Sequence, residues 1–374
     1  MSLHGRALGV AVGLLLDRAL GEPPAAWHPV AWFGTAMGHV EGLLYADRRL
    51  AGSAYTIVGV GLGVGSGLVV DGLVRGAAGA ARGAAGAARG PAGAARGDGA
   101  VAPAVAVAPA VAVAVAVACA GRLLRHTSRD IEELLLAGDL EGARERLPWL
   151  VGRDPSGLDA SGVAAAVVES LAENTVDAVV APVLWAVVAG APGVLAHRAV
   201  NTMDAMVGHR SARYARFGWA SARLDDAMAW VPARVTAGIV ALLAPRLPLD
   251  PSAARGARVA HGARVLDRVR VLDVVRVVRR DAPAHPSPNA GVAESAVAAA
   301  LGVELGGPLR YGERTEDRPR LGEGPRPDAT TITRARRLVD RVELSLVAGA
   351  AALASAGALG VSRATHRRKA TLTG

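Results

Sequence analysis

The 374-residue chain is poor in aromatic residues, with six Trp, four Tyr and two Phe making up 3% of it. A core without large rings has to be built from Ala, Val, Leu and Gly. Such side chains suit close helix–helix approach in lipid better than interlocking packing in water. Cys119 is the sole cysteine, which excludes an intrachain disulfide and a cysteine-based metal site. It lies in a run of Ala and Val and reads as a small core residue. Lys369 is the only lysine, so arginine supplies nearly all the positive charge behind the net charge of +9. Where arginine is used so freely, a bare Arg says little about phosphate. No basic patch interleaved with aromatics is found, so a nucleic-acid partner is not expected. Positive loops beside apolar spans account for the charge more simply. The patterns G-x-x-x-x-G-K-[ST], H-E-x-x-H and G-x-S-x-G are all missing, so any use of ATP does not rest on a Walker loop.

What is present is apolar length. Hydrophobic residues form 51% of the chain and mean hydropathy is +0.30. Residues 54–74 and 100–120 are each long enough to cross a bilayer of roughly 30 Å. The second alternates Ala and Val like a strand, but its length predicts a helix, bent by Pro103 and Pro109. Residues 7–21 predict a short first span rather than a signal peptide, because Asp17-Arg18 interrupts the run and no small-residue cleavage site follows. Residues 163–195, 231–248 and 343–361 are further candidates. The expectation is an all-α, multi-pass helical membrane protein with four to six transmembrane helices and amphipathic connecting helices. It would form one domain over residues 1–374 and reside in the cell membrane.

The connecting segments differ in character. Residues 75–99 are a low-complexity tract with Arg75, Arg82, Arg89 and Arg96 at seven-residue intervals. It reads as a solvated, flexible insertion, with a helix carrying an arginine stripe as the rival. Residues 122–151 predict one or two amphipathic helices broken near Gly138 and Pro148, and 249–282 a basic amphipathic stretch. Residues 283–328 are rich in Pro and Gly and read as a structured loop. Residues 362–374 form a basic tail.

Chemistry concentrates in residues 152–230. Glu169, Glu173 and Asp177 recur at i, i+4 and i+8 within VVESLAENTVDAVVAPVLW, one stripe on a helix, with Asn174 beside it. Ionisable groups within apolar spans are functional candidates. Stacked carboxylates repel, and a divalent cation held by oxygen ligands would relieve them, with Glu169 and Glu173 the candidate Mg²⁺ ligands. A solvated helix face at the membrane surface is the plain alternative. In HRAVNTMDAMVGHRSARYARFGWASARLDDAMAW, residues 197–230, His197, Asn201, Asp204 and Gly208 share a helical face. Arg210, Arg213, Arg216 and Arg223 follow among Tyr214, Phe217, Trp219 and Trp230, with Asp225-Asp226 next. Arginines clamp phosphate and rings stack flat ligands, while an interfacial belt is the alternative for the aromatics. The turn GRDPSGLD offers Arg153, Asp154 and Asp159, with Ser161 a candidate helix cap. The segment 285–313 offers Asn289, Gly291 and Glu294 ahead of a helix N-terminus, a place where an anion can bind.

Taken together, LLLDRALGEPPAAWHPVAWFG, GRDPSGLD, ESLAENTVDAVVAP, HRAVNTMDAMVGHRSARYARFGWASARLDD, WVPAR and SPNAGVAESAVAAALGVELGGP resemble the CobD/CbiB family, the adenosylcobinamide-phosphate synthases of cobalamin biosynthesis. The blocks run in the family's order over most of the chain. The resemblance implies an integral membrane ligase that joins adenosylcobyric acid to (R)-1-aminopropan-2-ol O-phosphate, or aminopropanol, through an amide. It implies ATP and Mg²⁺ as cofactors, and other membrane enzymes of the pathway as partners alongside the lipid bilayer. Pro155, Val292-Ala293 and Arg210 depart from residues common in the family. Under this reading Glu169, Glu173, Asp177 and Asp204 are the expected catalytic groups. Arg153, Asp154, Asn174, Asn201, Arg213, Arg223, Asp225, Asp226 and Asn289 are expected to bind substrate or phosphate. A non-catalytic membrane sensor or assembly factor of the same superfamily and a corrinoid transporter are the alternatives.

Overall fold

A computed structural model describes residues 2–89, 102–152, 154–209, 211–246, 271–311 and 314–372. Arg153, Arg210, residues 90–99 of the low-complexity tract and residues 249–270 of the basic stretch lie outside the described residues. The described chain is overwhelmingly helical, with one two-stranded hairpin. Four helical stretches are long and apolar enough to cross a membrane: Arg49–Ala81, Ala108–Leu136, Ala160–Val207 and Trp219–Leu243. The architecture is therefore that of an all-α, multi-pass membrane protein. The chain divides into two compact units, each assembled from non-contiguous stretches.

The first unit comprises Met1–Ala120, Ala181–Asp225 and Ser345–Gly374. Helix α1 (Leu3–Leu20) begins at Ser2, whose side chain accepts from the Gly5 N–H, and ends where Gly21 turns to φ +73°. Helices α2 (Pro29–Leu44) and α3 (Arg49–Arg89) follow, then α4 (Ala102–Ala118). Helix α8 (Ala181–Val207) and the start of α9 (Trp219–Leu243) complete its core. Small residues set the packing. A Cβ on Gly9 would lie 2.6 Å from the Ala108 carbonyl of α4, and one on Gly13 2.7 Å from Val115 Cβ. On α3, Gly59, Gly63 and Gly67 recur every four residues against α8. Cβ atoms there would meet Met203, Ala199 and Pro192 at 2.2, 2.8 and 2.4 Å. Helix α8 itself is interrupted at Gly190, which takes φ +68° two residues before Pro192. The break frees carbonyls, and Arg6 of α1 donates to two of them, Val187 O at 2.8 Å and Val188 O at 2.6 Å.

The second unit comprises Gly121–Val180 and Asp226–Leu344. The amphipathic segment predicted over 122–151 resolves into α5 (Gly121–Leu136), α6 (Leu140–Arg146) and a 3₁₀ turn at Leu147–Trp149. Gly138, at φ +78°, and Pro148 are where the breaks fall. Helix α7 (Ala160–Thr175) starts at Asp159, whose carboxylate accepts from the Gly162 N–H at 2.7 Å. Helices α10 (Val271–Asp281) and α11 (Ala290–Leu301) lead to strands β1 (Glu304–Tyr311) and β2 (Arg314–Gly322), and then to α12 (Ala329–Leu372). Every residue of α11 is buried. Arg336 of α12 pairs with the buried Glu132 of α5 at 2.6 Å, and Arg125 pairs with the buried Glu343.

Two expectations need correction, and two others are sharpened. Residues 75–89 are not a loop; they continue α3, because alanine-rich sequence propagates an established helix despite its glycines. Residues 283–328 are more than a loop, for they hold α11 and the hairpin. Residues 362–372 of the basic tail continue α12. The predicted first and last spans, 7–21 and 343–361, are helical without being among the four membrane-length stretches found in the described residues.

Candidate functional site

The carboxylate stripe does not survive as a stripe. Helix α7 ends at Thr175, and Val176–Val180 form a single π-helical turn before α8 begins. A π turn widens the helix and shifts every later residue around the axis, so Asp177 leaves the line set by Glu169 and Glu173. Such turns are frequent at functional positions. The three carboxylates also differ in environment. Glu169 is 2% exposed, Glu173 is exposed and Asp177 half-buried. Glu169 Oε1 accepts from the Gly306 N–H at 2.8 Å. Gly306 is the bulge residue of β1, at φ +76°, where the strand register slips between Leu305 and Gly307. The bulge turns its N–H out of the ladder and toward the carboxylate. Among the described residues no group of three or more His, Cys, Asp and Glu side chains could hold a metal ion. Asn174 donates to the Ser170 carbonyl at 2.9 Å and to its hydroxyl at 3.1 Å, while that hydroxyl donates to Leu150 O. Asp154 accepts from the Ser156 N–H at 3.0 Å and shapes the turn ahead of α7.

The same unit gathers a second group around Asn289. Its amide donates to the Asp226 carbonyl at 2.8 Å, and its oxygen accepts from Arg234 at 3.0 Å. Arg234 also donates to Trp230 O and Pro288 O, and its guanidinium lies 4.1 Å from the Trp230 ring centre. Two expected residues, Asp226 and Asn289, are thus joined directly, and Arg234, which was not singled out, holds the asparagine's oxygen. Arg234 stands in the WVPAR block, and its signal was only that it follows a tryptophan by one helical turn. Behind Asn289, the Ser287 hydroxyl accepts from the Asn289 and Ala290 N–H groups and opens α11. His285 and Glu294, both buried, approach to 3.7 Å.

In the first unit, Asn201 of α8 accepts from Arg198 at 3.2 Å and faces Asp225 Oδ1 at 3.4 Å. Asp204, half-buried on the next turn, lies over Gly208, where a Cβ would come within 1.9 Å of its oxygen. The loop before α2 adds Glu22 and His28, with His28 Nε2 3.6 Å from Glu22 Oε2. His28 caps α2 through Nδ1, which accepts from the Val30 N–H. Burial pushes the Glu22 carboxyl up against the opposing pull of Arg198. Burial also pushes the His28 imidazole down, and the Arg198 charge adds to it. Glu22 and His28 escaped the sequence reading because a proline-rich turn between helices carries no periodicity. Arg213 is exposed and paired with Glu41 at 3.0 Å, 4.1 Å from the Tyr45 ring centre. Its hydrogen bond to Glu41, and then that to Tyr214, hold its guanidinium above the usual value. Arg223 and Asp225 sit in the first two turns of α9, the first exposed and the second half-buried.

Each unit therefore carries part of the expected set: Asn201, Asp204, Arg213, Arg223 and Asp225 in the first, and Asp154, Glu169, Glu173, Asn174, Asp177, Asp226 and Asn289 in the second. These same stretches are shared with known proteins. The model of the family described as CobD/Cbib protein matches residues 10–339. A "Cobalamin biosynthesis protein CobD" of Mycobacterium tuberculosis (strain CDC 1551 / Oshkosh) is 44% identical, covering 93% of this chain and 95% of that protein. Proteins of the same name from Chromobacterium violaceum and Rhodobacter capsulatus are 38% and 37% identical, covering 90% and 92% of this chain and 92% and 96% of their own. No solved structure matches. With a family model spanning both units and relatives this similar along nearly their whole length, the chain belongs to the CobD/CbiB family.

Proposed function

We propose that the protein is an ATP-dependent carbon–nitrogen ligase of cobalamin biosynthesis in the cell membrane. It would attach (R)-1-aminopropan-2-ol O-phosphate, or aminopropanol, to adenosylcobyric acid to give adenosylcobinamide phosphate. The observation that carries this reading is the 44% identity over 93% of the chain, together with the family match over residues 10–339, a range that contains all the polar blocks.

The residues suit the chemistry. Amide formation needs a group that takes a proton from the amine and cations that hold anionic oxygens. Glu173 and Asp177, on consecutive turns and open to solvent to different degrees, are the proton-accepting candidates. Asn201 and Asp225, already joined, would orient the amine, and Arg223 would face phosphate oxygens. Asn289, fixed by Arg234 and the Asp226 carbonyl, presents a rigid polar edge at the start of α11. A resident metal cage does not fit, since no such cluster exists among the described residues. Magnesium arriving with a nucleotide needs only one or two carboxylates, and the exposed Glu173 is a candidate to supply one. Bound Mg-ATP would supply the free energy of the condensation.

The test is direct. Protein in detergent or nanodiscs, shown to be folded, is given adenosylcobyric acid, the amine phosphate and Mg-ATP, and the product is read by mass spectrometry. An ATP-dependent mass gain corresponding to the amide supports the reading. No product from folded protein, with either amine, ends it.

A further inference from the structure

The turn between α2 and α3 carries a feature that the ligase reading does not use. Asp47, Arg48, Arg49 and Arg216 line an open cleft of about 610 Å³ within the first unit. Arg216 reaches Asp47 at 3.4 Å, with both side chains more than half exposed. Among the described residues neither Arg48 nor Arg49 has a carboxylate partner. Three guanidiniums against one carboxylate leave two positive charges in excess. Arg49 lies 5.0 Å from the ring centre of Trp219, which is 40% exposed.

Position gives this cleft its meaning. Two membrane-length helical stretches begin here, one at Arg49 and the other at Trp219. A tryptophan at the head of a span marks the level of the lipid headgroups. Apolar side chains flank the arginines without protein cover: Leu43 is 85% exposed and Leu50 80%. Acyl chains can cover those leucines while the guanidiniums stay at headgroup depth. The residues thus combine unspent cations, an interfacial ring and bare aliphatic surface.

We propose that this cleft binds a phosphate group at the membrane surface, using Arg48, Arg49 and Arg216. The phosphate comes either from an anionic phospholipid headgroup or from a soluble phosphate compound, and the chemistry of recognition is shared. The proposal is independent of the ligase reading.

The full chain is reconstituted in nanodiscs of phosphatidylcholine with phosphatidylglycerol, then extracted gently, and retained lipid is measured by native mass spectrometry. Wild type is expected to retain phosphatidylglycerol over phosphatidylcholine, and less so at high salt. The Arg48→Gln/Arg49→Gln variant should lose that preference by on the order of tenfold. Arg75→Gln, on the same helix but paired with Asp71, should behave as wild type. If inorganic phosphate leaves the retained lipid in place, the headgroup is the ligand. If it displaces the lipid, and labelled phosphate binds wild type but not the double variant, a soluble phosphate is. Should the double variant fail to fold, Arg216→Gln reads the same loss. Wild type and variants alike in both lipid and phosphate binding would overturn the proposal.

Discussion

The buried carboxylate of Glu169 on α7 accepts the N–H of Gly306, the bulge residue of β1, at 2.8 Å. One bond therefore ties the helix that bears the candidate acids to a hairpin more than a hundred residues later. The glycine is required twice. Its φ is +76°, and a Cβ would lie 2.1 Å from the Pro319 carbonyl.

Glu169→Gln keeps an oxygen acceptor and should leave the melting temperature in detergent nearly unchanged. Glu169→Ala strands the Gly306 N–H and should cost about 1–3 kcal/mol. Gly306→Ala should destabilise at least as much. If Glu169→Gln abolishes ligase activity while folding survives, its charge serves chemistry; retained activity makes it a structural anchor.

Arg234 spends its donors on Asn289, Pro288 and Trp230. Lysine keeps the charge but not the planar fork. Arg234→Lys and Asn289→Ala should each lower kcat/KM by on the order of tenfold or more. Because both act on one loop, the double variant should fall little below either single one. Strict additivity would mean that the two side chains do not act together.

The glycines of α3 allow a sharp comparison. Gly63→Ala and Gly67→Ala overfill the contact with α8 and should each cost about 1–3 kcal/mol. Gly65 has nothing within 4 Å of a Cβ, and Gly65→Ala should be neutral or slightly stabilising. Thermal melts of the three variants in one detergent read the difference.

Asp281 closes α10 against the hairpin. Burial raises its carboxyl, but the Arg280 hydrogen bond, the Gly322 N–H and the Arg280 charge outweigh that and hold it below its usual value of 3.8. Its folded pKa is depressed, so it adds stability above pH 3.8 that is lost as pH falls through the folded value. Asp281→Asn should cost about 2 kcal/mol at neutral pH and less as pH falls below 3.8. Melts between acid and neutral pH check both statements.

Glu22 and His28 have opposite signs. The folded pKa of Glu22 is raised above 4.5, so its contribution is full below that pH and fades as pH rises. The folded pKa of His28 is lowered below 6.5, so its contribution is full above that pH and fades as pH falls. Glu22→Gln should remove the stability loss above pH 4.5, and His28→Gln the loss below pH 6.5. Unchanged pH–melting profiles in both variants would show that the pair is not desolvated as the geometry implies.

The sequence made some of this legible and not the rest, for physical reasons. Span length exposes a membrane helix because the bilayer sets a fixed requirement, and so Arg49–Ala81 was visible within 54–74. The amphipathic period exposed α5 and α6, with Gly138 marking the break between them and Pro148 the turn that follows α6. The π turn at Val176–Val180 left no trace, since Val and Ala continue through it, and the stripe drawn through Asp177 missed its register shift. The hairpin was hidden by the glycines that its bulge needs and by the prolines in its strands. Arg234 was missed because its role depends on Asn289, 55 residues further along the chain.

Arg6 shows what such distance entails. Its acceptors, Val187 O and Val188 O, follow it by 181 and 182 residues. At about 5–20 residues per second of synthesis, on the order of 10–40 s separate the guanidinium from the carbonyls it will cap. For that interval the first helix is made and enters the bilayer before the carbonyls that Arg6 will cap have been synthesised. Slowing synthesis between these two segments should lower the yield of inserted protein.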